Sequence, residues 1–202
     1  MGVMMKINYL RDFFTNLFVV SLVGCGLSDM GSHAGDMRLA WSEQVRLPGG
    51  EQAVTNSVVM GRTGGAWGGP VEWLSSETTL RIPAVMPGRR APPPWHGTYI
   101  PVLLDYDAQQ DRWTLLATVL TCPQWYALGR PSAPYLQYVT QDGAPWALVP
   151  LDVGYFGQKS NLLTGPRQTD EDRLVTLQEK SERKRRSSER FVKIMPFVKT
   201  NC

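Results

Sequence analysis

Two histidines, three cysteines and a scatter of carboxylates set the chemistry open to this chain of 202 residues. Acid–base catalysis at neutral pH favours a group that titrates there, and unperturbed histidine is the usual one. His33 lies in a stretch of small polar residues, and His96 lies in Pro92-Pro93-Pro94-Trp95-His96-Gly97. No Gly-x-Ser-x-Gly elbow supplies a serine for either. Cys122 precedes Pro123, and no helix start is expected there to lower a thiol pKa. Glu43, Glu72, Glu77, Asp105 and Asp152 have the right chemistry for glycoside hydrolysis, yet their spacing selects no pair. The expectation is a protein that is not an enzyme.

Ligand chemistry is equally sparse. Asp105-x-Asp107-x-x-x-Asp111 superficially matches the start of a calcium loop. Gln110 occupies the sixth position, where glycine is needed, and Leu116 the twelfth, where glutamate is needed. It reads as a polar hairpin loop, and no metal is expected. Gly61-Arg62-Thr63-Gly64-Gly65-Ala66-Trp67-Gly68-Gly69-Pro70 is glycine-rich but lacks the Gly-Lys-Ser/Thr ending of a phosphate cradle. No cofactor is expected.

Two features remain as binding candidates. Of the seven tryptophans, Trp41, Trp113 and Trp146 fall within strand-like runs and read as core. Trp67, Trp95 and Trp125 fall in loop-like stretches, where an indole is available to stack on a sugar ring. The second feature is basic: residues 167–199 hold ten Lys and Arg against six Asp and Glu. Its dense part is Lys180, Arg183, Lys184, Arg185, Arg186, Arg190 and Lys193, with Arg183, Lys184, Arg185 and Arg186 as the candidate binding residues. Its first reading is a solvated helix face; its binding readings are an anionic polymer or headgroup, or, in the cytosol, a nucleic acid.

The compartment decides among these. Lys6 and Arg11 precede a mostly apolar run of 12 residues, Phe13 to Gly24. A transmembrane helix needs about 20 such residues, so the run fits a secretory leader better. Its end, Leu22-Val23-Gly24-Cys25, resembles the lipobox of bacterial lipoproteins. That resemblance implies diacylglycerol on the Cys25 thiol and cleavage just before it. Gly26 stands where an aspartate favours inner-membrane retention, which implies an outer-membrane anchor facing the periplasm. The membrane is then the first partner, and an envelope protein or cell-wall polymer the next; nucleic acid becomes a partner only if the leader reading fails.

Removing residues 1–24 takes two basic residues and one acidic residue from a formal net charge of +3, leaving +2. So small a bias selects no class of partner. With 43% hydrophobic and 19% charged residues over its full length, the chain has a globular composition. With Cys25 lipidated, Cys122 and Cys202 are left as a pair for an oxidising compartment. Their disulfide would close a loop of about 80 residues and contribute roughly 3–5 kcal/mol.

The elements follow from alternation and turn residues. Residues 25–37 read as the lipidated cysteine and a flexible tether, and 38–202 as a single domain. Strands are expected over 38–47, 52–61, 78–85, 99–106, 112–121, 135–141 and 146–151, with Pro48-Gly49-Gly50 and Asp142-Gly143 as turns. Thr169-Asp170-Glu171-Asp172 looks like a capping box opening a helix near 169–188. A last strand is expected over 191–198. The fold class is mostly β, an antiparallel sheet or sandwich with one C-terminal helix, with α+β as the alternative.

Three stretches also carry a family resemblance. Trp41-x-Glu43-x-Val45-x-Leu47-x-x-Gly50, the Trp146 hairpin followed by Asn161-Leu162-Leu163, and the terminal Cys202 are similar to a group of uncharacterised proteobacterial lipoproteins. The resemblance implies a lipid-anchored protein of the cell envelope with a non-enzymatic role, and no activity beyond that.

Overall fold

Alternation along the first described segment builds the first sheet. The computed structural model describes residues 36–64, 72–84, 90–119, 121–164, 170–186 and 193–197, all within one unit that spans 34–202. Strand β1, Asp36–Arg46, pairs antiparallel with β2, Gln52–Gly64, around the Pro48-Gly49-Gly50 turn, where Gly50 has φ +91°. Leu39, Trp41, Glu43, Val45 and, just past the strand, Leu47 are all buried, as period 2 requires of one covered face. Strand β3, Glu72–Ala84, adds to β2, and β4, Trp95–Gly97, adds to β3.

The second sheet is a meander. Strands β5, Ile100–Asp107, β6, Arg112–Thr118, β7, Tyr135–Gln141, and β8, Ala147–Val149, pair antiparallel in chain order. Asp142 and Gly143, at φ +55° and +76°, turn β7 into β8. Between β6 and β7 stands a short helix, α1, Cys122–Ala127. The chain then returns to the first sheet with β9, Leu174–Val175, parallel to β1, and ends its described regular structure in α2, Leu177–Arg186. The sheet orders are β4-β3-β2-β1-β9 and β5-β6-β7-β8. The fold is thus mostly β, with two sheets and a helix near the C-terminus.

One apolar cluster joins the sheets. It takes Val45, Leu80, Ile82 and Trp95 from the first, and Leu104, Tyr106, Trp113, Leu115 and Ala117 from the second. The other face of the second sheet is covered too. Val102, Leu103, Leu116 and Tyr135 pack there with Tyr155 of a 3₁₀ turn, Val153–Tyr155, and with Ile194. This is why β5 reads as a continuous apolar run instead of alternating.

Four expectations need correction. Helix α2 starts at Leu177, eight residues later than Thr169 suggested, because a second box does the capping: Thr176 Oγ1 accepts from Glu179 N (3.3 Å) and Glu179 accepts from Thr176 N (2.8 Å). Residues 174–175, which lie between the two boxes, are the apolar pair that docks as β9. The final strand is absent among the described residues: Lys193 makes one isolated bridge with Lys159. A helix does begin at Cys122, since Thr121 and Gln124 form a further capping box and Pro123 sits in the first turn, where proline is tolerated. Strand β1 opens at Asp36, so residues 36 and 37 belong to the sheet and not to a tether.

Candidate functional site

The inward face of β1 carries one charged residue, Glu43, only 1% exposed. Burying a carboxylate is costly unless it is paired and hydrogen-bonded, and here both conditions are met. Trp41 Nε1 donates to Oε1 (3.2 Å), Leu163 N donates to Oε2 (3.0 Å), and Lys180 Nζ from α2 donates to Oε2. Lys180 also donates to Gln44 O (2.9 Å) and to the backbone oxygen of Asn161. An ammonium has three N–H groups, and this one has three acceptors.

Asn161 completes the arrangement from the side. Its Oδ1 accepts from Leu104 N (2.8 Å), while Nδ2 donates to Leu104 O (2.7 Å) and Arg46 O (3.0 Å). One amide therefore bridges β5 of the second sheet to the end of β1 in the first. Nearby, Asp170, fully buried, takes a two-pronged contact from Arg183 (Nη1 to Oδ2 at 2.7 Å, Nη2 to Oδ1 at 2.5 Å). Arg173 lies 3.8 Å from Asp170 and 2.7 Å from Glu179. Chemically, this is a clamp. A protonated amine held by three acceptors is not a nucleophile, and the acid it meets is closed off from solvent.

These contacts change the reading of the basic run. Lys180 and Arg183 are internal ion-pair partners rather than a solvated face, so Arg183 is withdrawn as a surface binding residue. Lys184, Arg185 and Arg186 end α2, and their side chains lie outside the described residues.

Trp95 is also corrected. It is the first residue of β4, 2% exposed, edge-on to Tyr138 with ring centroids 5.4 Å apart. Its ring lies over Gly97, where a Cβ would stand 2.6 Å from the indole. The prolines before it are held by Trp146, whose Nε1 donates to Pro93 O (2.8 Å). Trp41 and Trp113 are buried as expected. Trp67, Cys25 and Cys202 lie outside the described residues. Cys122 is disulfide-bonded, and the chain's other two cysteines are the undescribed ones.

The candidate catalytic and calcium residues are occupied locally. His96 is exposed, with Nδ1 3.0 Å from Thr79 Oγ1. Asp105 accepts from Tyr106 N and Tyr155 Oη, Asp107 caps Gln109 N and Gln110 N, and Asp111 accepts from Tyr106 Oη. Among the described residues no three metal-ligating side chains come together.

Of the two loop tryptophans among the described residues, Trp125 keeps a place at the surface and Trp95 does not. Trp125 is half-buried on α1, its Nε1 donates to Pro131 O (3.1 Å), and its ring centroid lies 5.4 Å from that of Tyr126. Tyr126 is 43% exposed, and the Arg130 guanidinium lies 4.8 Å from its ring centroid. Sequence reasoning missed Arg130. The available signals were Thr121-x-x-Gln124 before it and Gly129 and Pro131 beside it, a short helix with both ends marked.

Compared with known proteins, the chain matches no family model, no curated protein and no solved structure.

Proposed function

We propose that this chain is a lipid-anchored protein of the bacterial cell envelope, held to the outer membrane through Cys25 and acting without catalysis through surface contacts. The observation that carries the reading is Leu22-Val23-Gly24-Cys25 behind a 12-residue apolar run. One structural feature supports it. Cys122 is disulfide-bonded, a state that persists in oxidising compartments and is rare in the cytosol.

A nucleic-acid role draws less support, because Lys180 and Arg183 are engaged inside the protein. No helix among the described residues is long and apolar enough to cross a membrane.

The test is the intact mass of the protein from a bacterial membrane fraction, before and after reduction. Loss of residues 1–24, acyl mass on Cys25 and a gain of about 2 Da on reduction, one disulfide becoming two thiols, are expected. An unprocessed chain without lipid overturns the reading.

A further inference from the structure

Helix α1 contributes no buried side chain to the core, yet it is fastened from every side. The Thr121–Gln124 box closes its start, Gln124 Nε2 donates to Thr98 O (2.7 Å), and Cys122 is disulfide-bonded. At its end Gly129 N donates to Tyr126 O and Arg130 N to Trp125 O, each at 3.0 Å. This is the Schellman pattern, with Gly129 at φ +77° in the usual glycine position. Arg130 follows at φ +59°. A side chain in that left-handed region costs free energy that glycine avoids. What the conformation secures is the place of the guanidinium over the Tyr126 ring.

Between Arg112 and Asp142 the sequence contains one charged side chain, Arg130. Among the described residues its guanidinium meets the Tyr126 ring and no carboxylate.

We propose that Trp125, Tyr126 and Arg130 form a binding site for an acidic saccharide: a sugar ring packs its C–H face on the aromatic pair while the guanidinium takes its carboxylate. A planar guanidinium fork matches a carboxylate with two parallel hydrogen bonds, and a tyrosine offers an apolar body with a polar tip. Size favours a sugar over a bilayer. One exposed phenol and one half-buried indole cover a single pyranose ring, whereas stable membrane attachment needs far more buried apolar surface. The site rests on the envelope reading only for the source of its ligand.

The experiment titrates the full-length chain in detergent by calorimetry against four probes. These are the N-acetylglucosaminyl–N-acetylmuramic acid disaccharide, neutral chitobiose, inorganic phosphate, and vesicles of anionic phospholipid. The acidic disaccharide is expected to bind at least about tenfold more tightly than chitobiose, the difference being one charge-assisted contact. Arg130→Gly should bring it down to the chitobiose level without lowering Tm, since glycine relaxes the backbone that arginine strains. Arg130→Lys should retain part of the preference.

Equal binding of the two sugars, a preference that survives Arg130→Gly, or phosphate binding as tightly as the disaccharide each overturns the proposal. So does binding to vesicles without binding to sugar, or a marked fall in Tm for Arg130→Gly, which would make the arginine a structural residue. Failure of the anchor is read separately, from the mass of Cys25: an unlipidated chain that binds the disaccharide leaves this site standing.

Discussion

Lys180 closes onto Glu43 across 137 positions of sequence, and both side chains are buried, at 5% and 1% exposure. The contact ties α2 to the inward face of β1. It also divides that face, with Leu39 and Trp41 on one side of the carboxylate and Val45 and Leu47 on the other, in separate apolar clusters. The late helix is therefore held by charge as well as by the apolar docking of Val175.

Removing one partner leaves the other charged and buried. Glu43→Gln and Lys180→Met should each cost about 3–5 kcal/mol in urea unfolding. The double variant Glu43→Leu/Lys180→Met should cost clearly less than the sum of the singles, because no unpaired charge remains. It should not reach wild type, since Leu163 N and Trp41 Nε1 also lose their acceptor. Additive losses would show that the ion pair is energetically silent.

Asn161 makes a different kind of joint. Its side chain satisfies three backbone groups on two sheets, and each buried group left unpaired costs about 1–3 kcal/mol. Asn161→Leu should therefore destabilise by about 3 kcal/mol or more. Asn161→Asp should also lose stability at neutral pH, because an ionised carboxylate cannot donate to Leu104 O and Arg46 O. Equilibrium unfolding near neutrality decides both, and a change within 0.5 kcal/mol, typical of surface substitutions, would exclude the bridging role.

Much of the sheet was legible because its signals are local. Alternation marked β1, and Asp142-Gly143 marked the β7–β8 turn that the two positive φ values now show. What escaped depends on partners distant in sequence. Glu43 sits in phase with the apolar residues of β1, and nothing local tells that a lysine 137 positions later will neutralise it. For the same reason Lys180 and Arg183 looked like part of an exposed basic run. Three prolines before Trp95 suggest a loop, although strand pairing to Leu80 turns the indole inward. The surface group on α1 was half visible: Trp125 stood out by type, whereas Arg130 depends on a left-handed backbone.

Among the described tyrosines, Tyr135, Tyr138 and Tyr155 should resist ionisation. Burial raises the phenol pKa of Tyr135, Tyr138 and Tyr155 above the ordinary 10.0; Met195 N, by donating to Tyr135 Oη, opposes the shift at that residue. A raised pKa favours the neutral phenol in the folded state. The associated stability is complete below pH 10 and falls as pH rises through the folded values. Phenolate absorbance should show a late-titrating fraction in the native protein that merges with the rest in urea. A single native titration at the ordinary value, with the fold intact, would contradict the packing of the layer around Tyr155.

The capping box of α2 gives the opposite dependence. Glu179 has its pKa lowered from 4.5, first by the hydrogen bond from Thr176 N and also by the Thr176 hydroxyl and by Arg173 and Arg183, with burial acting against them. A lowered carboxylate contributes stability that is complete above the unfolded pKa and is lost as pH falls through the folded one. Wild type should thus be more stable than Glu179→Gln at neutral pH, with the gap closing only below the usual carboxylate range. Glutamine retains a carbonyl for Thr176 N, so the surviving difference reports the charge, and added salt should reduce it. Thr176→Ala removes the other half of the box and should cost about 1 kcal/mol at neutral pH and less in acid, because the hydroxyl also favours the ionised Glu179. A Glu179→Gln gap that does not change between neutral and acid pH would mean that the carboxylate is not ionised against the helix start.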